Sequence, residues 1–337
     1  MAFTVGVRWL YHAKKKLQKT TNKAMTFAAL FPGQGSQTVG MLSDFGAKVP
    51  EIKETFSEAS DVLGYDLWML AQKGPAEQLS LTEFTQPLML TSGVALYRAW
   101  SRANGQPVSY MAGHSVGEYT ALTAAGSLKL ADAVKLVRAR GKFMQEAVPQ
   151  ATGAMAAVIG LDDDKIEAVC TKVSNDSGLI IEAVNYNAPG QLVIAGHAEA
   201  IEVSLPMLRE AGAKRALSLP VSAPFHCALM KPAADRLKPV LDAIEVHMPT
   251  APVIQNVSNR PETDVAVIRA QLIQQTFSPV RWTQTVHSFE GLGIQKAAEF
   301  GPGSVLCGLA KRIQTDALHY PLGTREMFFK ALQEING

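Results

Sequence analysis

Charge of either sign is scarce in this chain. Asp, Glu, Lys and Arg make up 18% of its 337 residues, and 32 basic against 30 acidic side chains leave a formal net charge of +2. So even a balance excludes recognition of nucleic acid through bulk charge. Cysteine is rarer still: Cys170, Cys227 and Cys307, with no Cys-x-x-Cys pair. That pattern excludes a zinc knuckle and a disulfide scaffold, and leaves buried free thiols in a reducing compartment as the expectation. Long hydrophobic runs are missing as well. The longest, near 84–97 and 147–161, contain Pro, Gln and Thr and fall short of the roughly 18–20 apolar residues of a membrane span. Internal repeats and low-complexity segments are absent. What is there is 47% hydrophobic residues, the composition of a core-forming globular protein rather than a disordered tail or a coiled coil. A soluble, cytoplasmic protein is expected, with no membrane insertion and no nucleic-acid partner.

At about 100–200 residues per domain, the length corresponds to two or three structural units. Residues 1–24 stand apart. They hold Arg8, Lys14, Lys15, Lys16, Lys19 and Lys23 and no acid, and taking these six from +2 leaves −4 for the remainder. They lack the apolar stretch of a secretory signal. An organellar presequence (with import as its consequence), a surface arm and an upstream start codon all fit. The last is favoured because Met25 opens the first convincing strand, so residues 1–24 are placed outside the fold.

Residues 26–31 (TFAALF) read as a buried-type strand running into the glycine-punctuated loop Pro32-Gly33-Gln34-Gly35-Ser36-Gln37. Helical periodicity follows over 51–63, stopped by Gly64, and over 86–103, opened by Gln86-Pro87. A strand at 108–112 turns through Gly113-His114-Ser115-Val116-Gly117 into another helix, and a further helix covers 131–147. Strand, turn and helix in alternation indicate an α/β fold with a parallel sheet. The pattern then changes. Strands at 153–159, 179–186, 191–196 and 214–219 and helices from an Asp162 cap to about 173 and over 198–211 give β-α-β-β-α-β, the order of a ferredoxin-like unit. After it come a mostly helical stretch at 227–244, strand-like segments at 252–256 and 295–299, and a helix at 304–313. The expected organisation is a large α/β unit from 25–148 and 222–333, interrupted by a small unit at 149–221.

Gly113-x-Ser115-x-Gly117 has the form of a nucleophile elbow. A serine hydroxyl is a poor nucleophile unless a strained strand-to-helix turn presents it and a base takes its proton. The plainer alternative is a glycine-lined turn whose serine caps a helix. Of the seven histidines, His114 adjoins the serine and is expected to point away, while His226 sits in an apolar loop, Pro220 to His226, that re-enters the large unit. A histidine in such a loop is a catalytic base or a satisfied core residue; no metal-ligand spacing includes it. The glycines of the Gly33–Gln37 loop free backbone N–H groups for an anion, either a phosphate or an oxyanion opposite the elbow.

Six ordered motifs carry a resemblance over about residues 26–330. They are Phe31-Pro32-Gly33-Gln34-Gly35-Ser36-Gln37, Gly113 through Tyr119, Arg138 through Gln145, Asn185 through Gln191, Ala223 through Met230, and Phe300-Gly301-Pro302-Gly303. In these the chain resembles the malonyl-CoA:acyl carrier protein transacylases of bacterial type II fatty-acid synthesis. The resemblance implies an α/β-hydrolase-like core with a ferredoxin-like insertion. It implies Ser115 as acyl-accepting nucleophile and His226 as general base and acid, oriented mainly by a backbone carbonyl near residues 278–282. The N–H groups of Gln34 and Val116 would form the oxyanion hole, and Arg140 would bind the malonyl carboxylate. Such a role suits a guanidinium, whose planar fork pairs a carboxylate at two points, although an arbitrary helix arginine is ordinarily solvated. Phe225, where many bacterial members carry Ser, would shape the pocket. The expected substrates are malonyl-CoA and phosphopantetheinylated acyl carrier protein, with no metal or other cofactor, acting as a monomer. An acyltransferase feeding a polyketide or polyunsaturated-lipid synthase shares these motifs. A serine hydrolase or thioesterase shares only the elbow.

Overall fold

The computed structural model describes residues 26–221, 223–313 and 316–337; the expectations for residues 1–24 lie outside these. The first strand, β1 (Thr26–Phe31), is buried from Phe27 onward, as an apolar run covered on both faces must be. Alternation sends Phe27, Ala29 and Phe31 to one face and Ala28 and Leu30 to the other. Helices α1 (Pro50–Leu63) and α2 (Thr82–Arg102) follow, then β2 (Tyr110–Gly113), α3 (Val116–Ala124) and α4 (Leu130–Gln145).

The middle of the chain forms β3 (Gly153–Ile159), α5 (Asp163–Ser177), β4 (Ile181–Ala188), β5 (Gln191–His197), α6 (Ala198–Glu210) and β6 (Arg215–Ser218). The last stretch adds α7 (Lys231–Asp242), β7 (Val253–Ile254), α8 (Val265–Gln274), α9 (Trp282–Gly291), β8 (Ile294–Glu299), α10 (Val305–Ile313), β9 (Leu318–Pro321) and α11 (Arg325–Asn336).

Two sheets result. One is parallel throughout, in the order β7-β2-β1-β8-β9. The other is antiparallel, β4-β5-β3-β6, the strand order of a ferredoxin-like unit. One face of the small sheet packs on α5 and α6 through Val158, Ile166, Ile194 and Leu208. Its other face presents Met155, Val184, Val193 and Ala195 to Leu219, Val221, Phe225 and Cys227, and so backs the loop that carries His226. The segment before α9 pairs with β4 of the small sheet: Val280 N–H donates to Val184 at 2.8 Å and Tyr186 N–H to Val280 at 3.0 Å. Among the described residues no helix is long and apolar enough to cross a membrane.

Several boundaries differ from the sequence expectation. Helix α2 begins at Thr82 with Pro87 inside it, because Leu81 accepts from the N–H groups of Phe84 and Thr85 at 2.8 and 2.9 Å and forms the turn before the proline. Asp162 stands at the N-cap of α5, but its side chain accepts no hydrogen bond there, and the helix runs on to Ser177. The 252–256 stretch pairs only over Val253–Ile254. Helices α8, α9 and α11 and strand β9 have no counterpart in the expectation.

Candidate active site

The site is built where β1 and β2 end. His114 N–H donates to Phe31 at 3.0 Å, extending the strand pairing to the residue before Ser115. There the chain reverses into α3 with Ser115 at φ +55° and ψ −114°, a conformation that costs about 1–3 kcal/mol and persists only where the surroundings impose it. They do so through close backbone contact. A Cβ on Gly113 would lie 1.9 Å from the carbonyl carbon of Gly117, and one on Gly117 would lie 2.0 Å from the Phe31 oxygen. Both glycines of the elbow are therefore steric requirements. Asn256, just past β7, brackets the turn: its Oδ1 accepts from Ser115 N–H at 2.9 Å and its Nδ2 donates to Gly113 at 2.7 Å.

The Ser115 hydroxyl lies 2.8 Å from His226 Nε2. His226 Nδ1–H donates to the Gln275 carbonyl at 3.0 Å, which leaves Nε2 as the acceptor facing the serine. The orienting carbonyl thus belongs to Gln275, at the end of the helical segment before residues 278–282, with Ser278 contributing in second place. Burial pushes the His226 imidazole down to about 3, and the Arg140 charge acts in the same direction, so the ring is neutral at ordinary pH and able to accept a proton.

Arg140 is 1% exposed, at odds with a solvated helix arginine. Its Nη2 donates to Ser115 Oγ at 3.2 Å and to Gln275 Oε1 at 2.8 Å, and its Nη1 donates to Gln86 Oε1 at 2.9 Å. The guanidinium lies over the Tyr119 ring at 5.1 Å. Among the described residues Nε is buried without a hydrogen-bond partner. Burial lowers the pKa of this guanidinium without making it a proton donor in the ordinary range.

These groups open into a cleft of about 150 Å³. It brings together all six residues singled out in the sequence: Ser115, His226, Arg140, Gln34, Val116 and Phe225. Val116 N–H, at the first position of α3, has no carbonyl to bond within its helix. The Gly33–Gln37 loop meets the elbow there: a Cβ on Gly33 would lie 2.8 Å from the His114 carbonyl oxygen. His114 does not point away: it lines the same cleft, where its Nε2 pairs with Asn187 Oδ1 at 3.0 Å and its ring lies 6.0 Å from Trp282. Its pKa falls to about 4 through burial. Sequence reasoning missed Gln86, Asn256 and Gln275 as site residues. Amides carry no spacing signature, and these three lie on separate segments. Among the described residues no cluster of three or more His, Cys, Asp or Glu could hold a metal.

A strained serine on a strand-to-helix turn, a neutral histidine and a buried guanidinium in one cleft define a serine acyltransferase that takes an acidic acyl group. Comparison with known proteins agrees: the acyl transferase domain family matches residues 28–313. The malonyl CoA-acyl carrier protein transacylase of Escherichia coli strain K12 is 55% identical over 287 residues, 85% of this chain and 92% of that protein. That of Bacillus subtilis strain 168 is 44% identical over 313 residues, 92% and 98%. Among solved structures, the transacylase of Coxiella burnetii superposes with a TM-score of 0.91 at 45% identity, covering 94% of this chain and all (100%) of that one. A malonyl-transacylase in complex with a type II PKS acyl-carrier protein gives 0.90 at 49%, covering 92% and 99%. The chain belongs to the malonyl CoA-acyl carrier protein transacylase family.

Proposed function

We propose that this protein transfers the malonyl group of malonyl-CoA to the phosphopantetheine thiol of acyl carrier protein through a malonyl-serine ester, supplying fatty-acid elongation. The observation that carries the reading is the single cleft in which Ser115 Oγ meets both His226 Nε2, at 2.8 Å, and the buried Arg140 guanidinium, at 3.2 Å. A hydrolase has no need of the second contact.

The malonyl carboxylate docks on Arg140, displacing Ser115 from Nη2. Two effects follow. The serine oxygen loses a donor that damps its nucleophilicity, and the negative charge offsets the Arg140 field that holds His226 down, so the base strengthens as the substrate arrives. Ser115 Oγ then attacks the thioester carbon while its proton passes to His226 Nε2. The oxyanion receives the N–H groups of Gln34 and Val116. The C–S bond breaks, and coenzyme A leaves with the proton from His226. In the second half the carrier thiol gives its proton to His226 and attacks the ester, the C–O bond breaks, and Ser115 regains the proton. Phe225 closes the pocket beside the small sheet. Metal and redox cofactors have no step in this scheme. The protein acts as a cytoplasmic monomer, with residues 149–221 as an inserted small unit on the large one formed by 25–148 and 222–333.

Intact mass tests the reading. Incubation with malonyl-CoA is expected to add one malonyl group, removed by phosphopantetheinylated acyl carrier protein, and Ser115→Ala abolishes the adduct. An adduct that persists on the alanine variant overturns the assignment. A second reading, delivery to a polyketide carrier, draws on the 49% identity to the partner of a type II PKS acyl-carrier protein. Comparing the rates of the second step with fatty-acid and polyketide carriers separates the two.

A further inference from the structure

Glu118 is 0% exposed and does not line the cleft. No cation lies within ion-pair distance of it among the described residues, and its Oε1 has no hydrogen-bond partner. A buried carboxylate so placed is expensive, and packing alone does not account for it. Its other oxygen, Oε2, accepts from Gln275 Nε2 at 2.8 Å and from Asn256 N–H at 2.9 Å. These two partners hold the rest of the site. Asn256 brackets the elbow with its side chain. Gln275 receives His226 Nδ1–H on its backbone carbonyl and Arg140 Nη2 on its side-chain oxygen.

The side-chain amide of Gln275 could in principle sit either way round. Inverted, its NH₂ would face the Arg140 donors and its oxygen would face the Glu118 carboxylate, replacing two attractions by two repulsions. Oε2 already accepts two N–H groups, so any proton on this carboxyl sits on the unpartnered Oε1 and Oε2 presents lone pairs to the amide in either protonation state. Glu118 therefore dictates which end of Gln275 faces Arg140, with the Ser115 carbonyl, 3.0 Å from Gln275 Nε2, adding to the bias. We propose that Glu118 is the positioning residue of the site: through Gln275 it fixes the orientation of the Arg140 guanidinium relative to Ser115, and so the preference for an acyl group bearing a carboxylate. The inference rests on the transacylase reading above.

Three variants test it. Glu118→Gln keeps an acceptor at the same reach, Glu118→Met keeps the length without an acceptor, and Glu118→Asp keeps the charge but withdraws it by one methylene. The readout is the ratio of kcat/KM for malonyl-CoA over acetyl-CoA, with Tm recorded for each protein. A merely structural role lowers Tm and slows both substrates alike, leaving the ratio unmoved. Positioning lowers the ratio in Met and Asp by about 10–100-fold, the range typical of groups that orient a site from behind. Gln holds it within about threefold, the effect of roughly one ordinary hydrogen bond. An unchanged ratio in folded Met or Asp overturns the proposal, as does a loss in Gln equal to that in Met. Should the Met variant not fold, the Asp variant decides. Failure of wild type to take up malonyl on Ser115 would overturn the transacylase reading itself, a separate result.

Discussion

Arg140 makes its hydrogen bonds to uncharged partners, two glutamine oxygens and a serine hydroxyl, and Glu118 acts on it only from beyond ion-pair distance, so a directly bonded counter-charge is left to the substrate. Removing it leaves a malonyl carboxylate desolvated and unpaired. Arg140→Ala is expected to lose malonyl transfer by about 2–5 kcal/mol in kcat/KM, the range for truncation of one partner of a buried charge pair. Acetyl transfer falls much less or rises, and Arg140→Lys recovers part of the loss because an ammonium cannot form the two-pronged contact. Equal malonyl-to-acetyl ratios in all three proteins would make Arg140 a structural arginine.

His226 yields a prediction in pH. Its folded pKa, about 3, lies below the ordinary 6.5, so between these values the unfolded chain binds a proton that the folded one refuses. Stability from this residue is therefore present above about 6.5 and is lost as pH falls toward 3, with a slope of up to about 1.4 kcal/mol per pH unit. His114, lowered to about 4, adds in the same direction. Glu118, raised to about 7 by burial, opposes both between about 4.5 and 7. The test is a difference: urea denaturation of wild type and His226→Gln from pH 7 to 5 is expected to show a shallower loss in the variant. Parallel curves would mean that the histidine is not held neutral by the fold. At this scale Ser115, His226 and Arg140 were legible as candidates, because glycine spacing and motif order mark them, and the fold brings the three into one cleft. Glu118 lay inside a quoted motif, but its role depends on Gln275, 157 residues away, and no local pattern encodes that meeting.

Among the elements, the strands and helices up to residue 219 were largely legible; after it α7, β7, β8 and α10 were read, while α8, α9, β9 and α11 were not. Helix α8 is rich in β-branched residues that argue locally for a strand, yet Ile268 and Leu272 are buried against the core and packing overrides the preference. Its start signal was present in Asp264, which accepts from Ala266 N–H at 2.8 Å; Thr324 does the same for α11, accepting from Met327 N–H at 3.2 Å. Another device was invisible. Lys296, on β8 and 4% exposed, donates Nζ to the carbonyls of Glu334 and Ile335 at 2.9 and 3.2 Å, closing the C-terminal end of α11 from within the core. Lys296→Ala is expected to destabilise the protein by about 1–3 kcal/mol, the cost of leaving buried carbonyls unsatisfied, seen as a lower urea midpoint. An unchanged midpoint would mean that water replaces the lysine.

For the whole molecule, a parallel sheet and a second, antiparallel one were readable because the order of strands and helices changes between residues 149 and 221. The pairing that ties β4 to the segment before α9 was not, since it depends on Val280, nearly a hundred residues beyond its partners Val184 and Tyr186. That short stretch of pairing bears on how such proteins can be recombined. Grafting residues 149–221 of a relative into this chain would set a foreign β4 against the host's Val280 and against Thr283, whose hydroxyl donates to the Tyr186 carbonyl at 2.9 Å. The portable module is therefore discontinuous: the insertion travels together with residues 278–283, and a chimera cut only at the two obvious junctions carries a seam through its own backbone pairing.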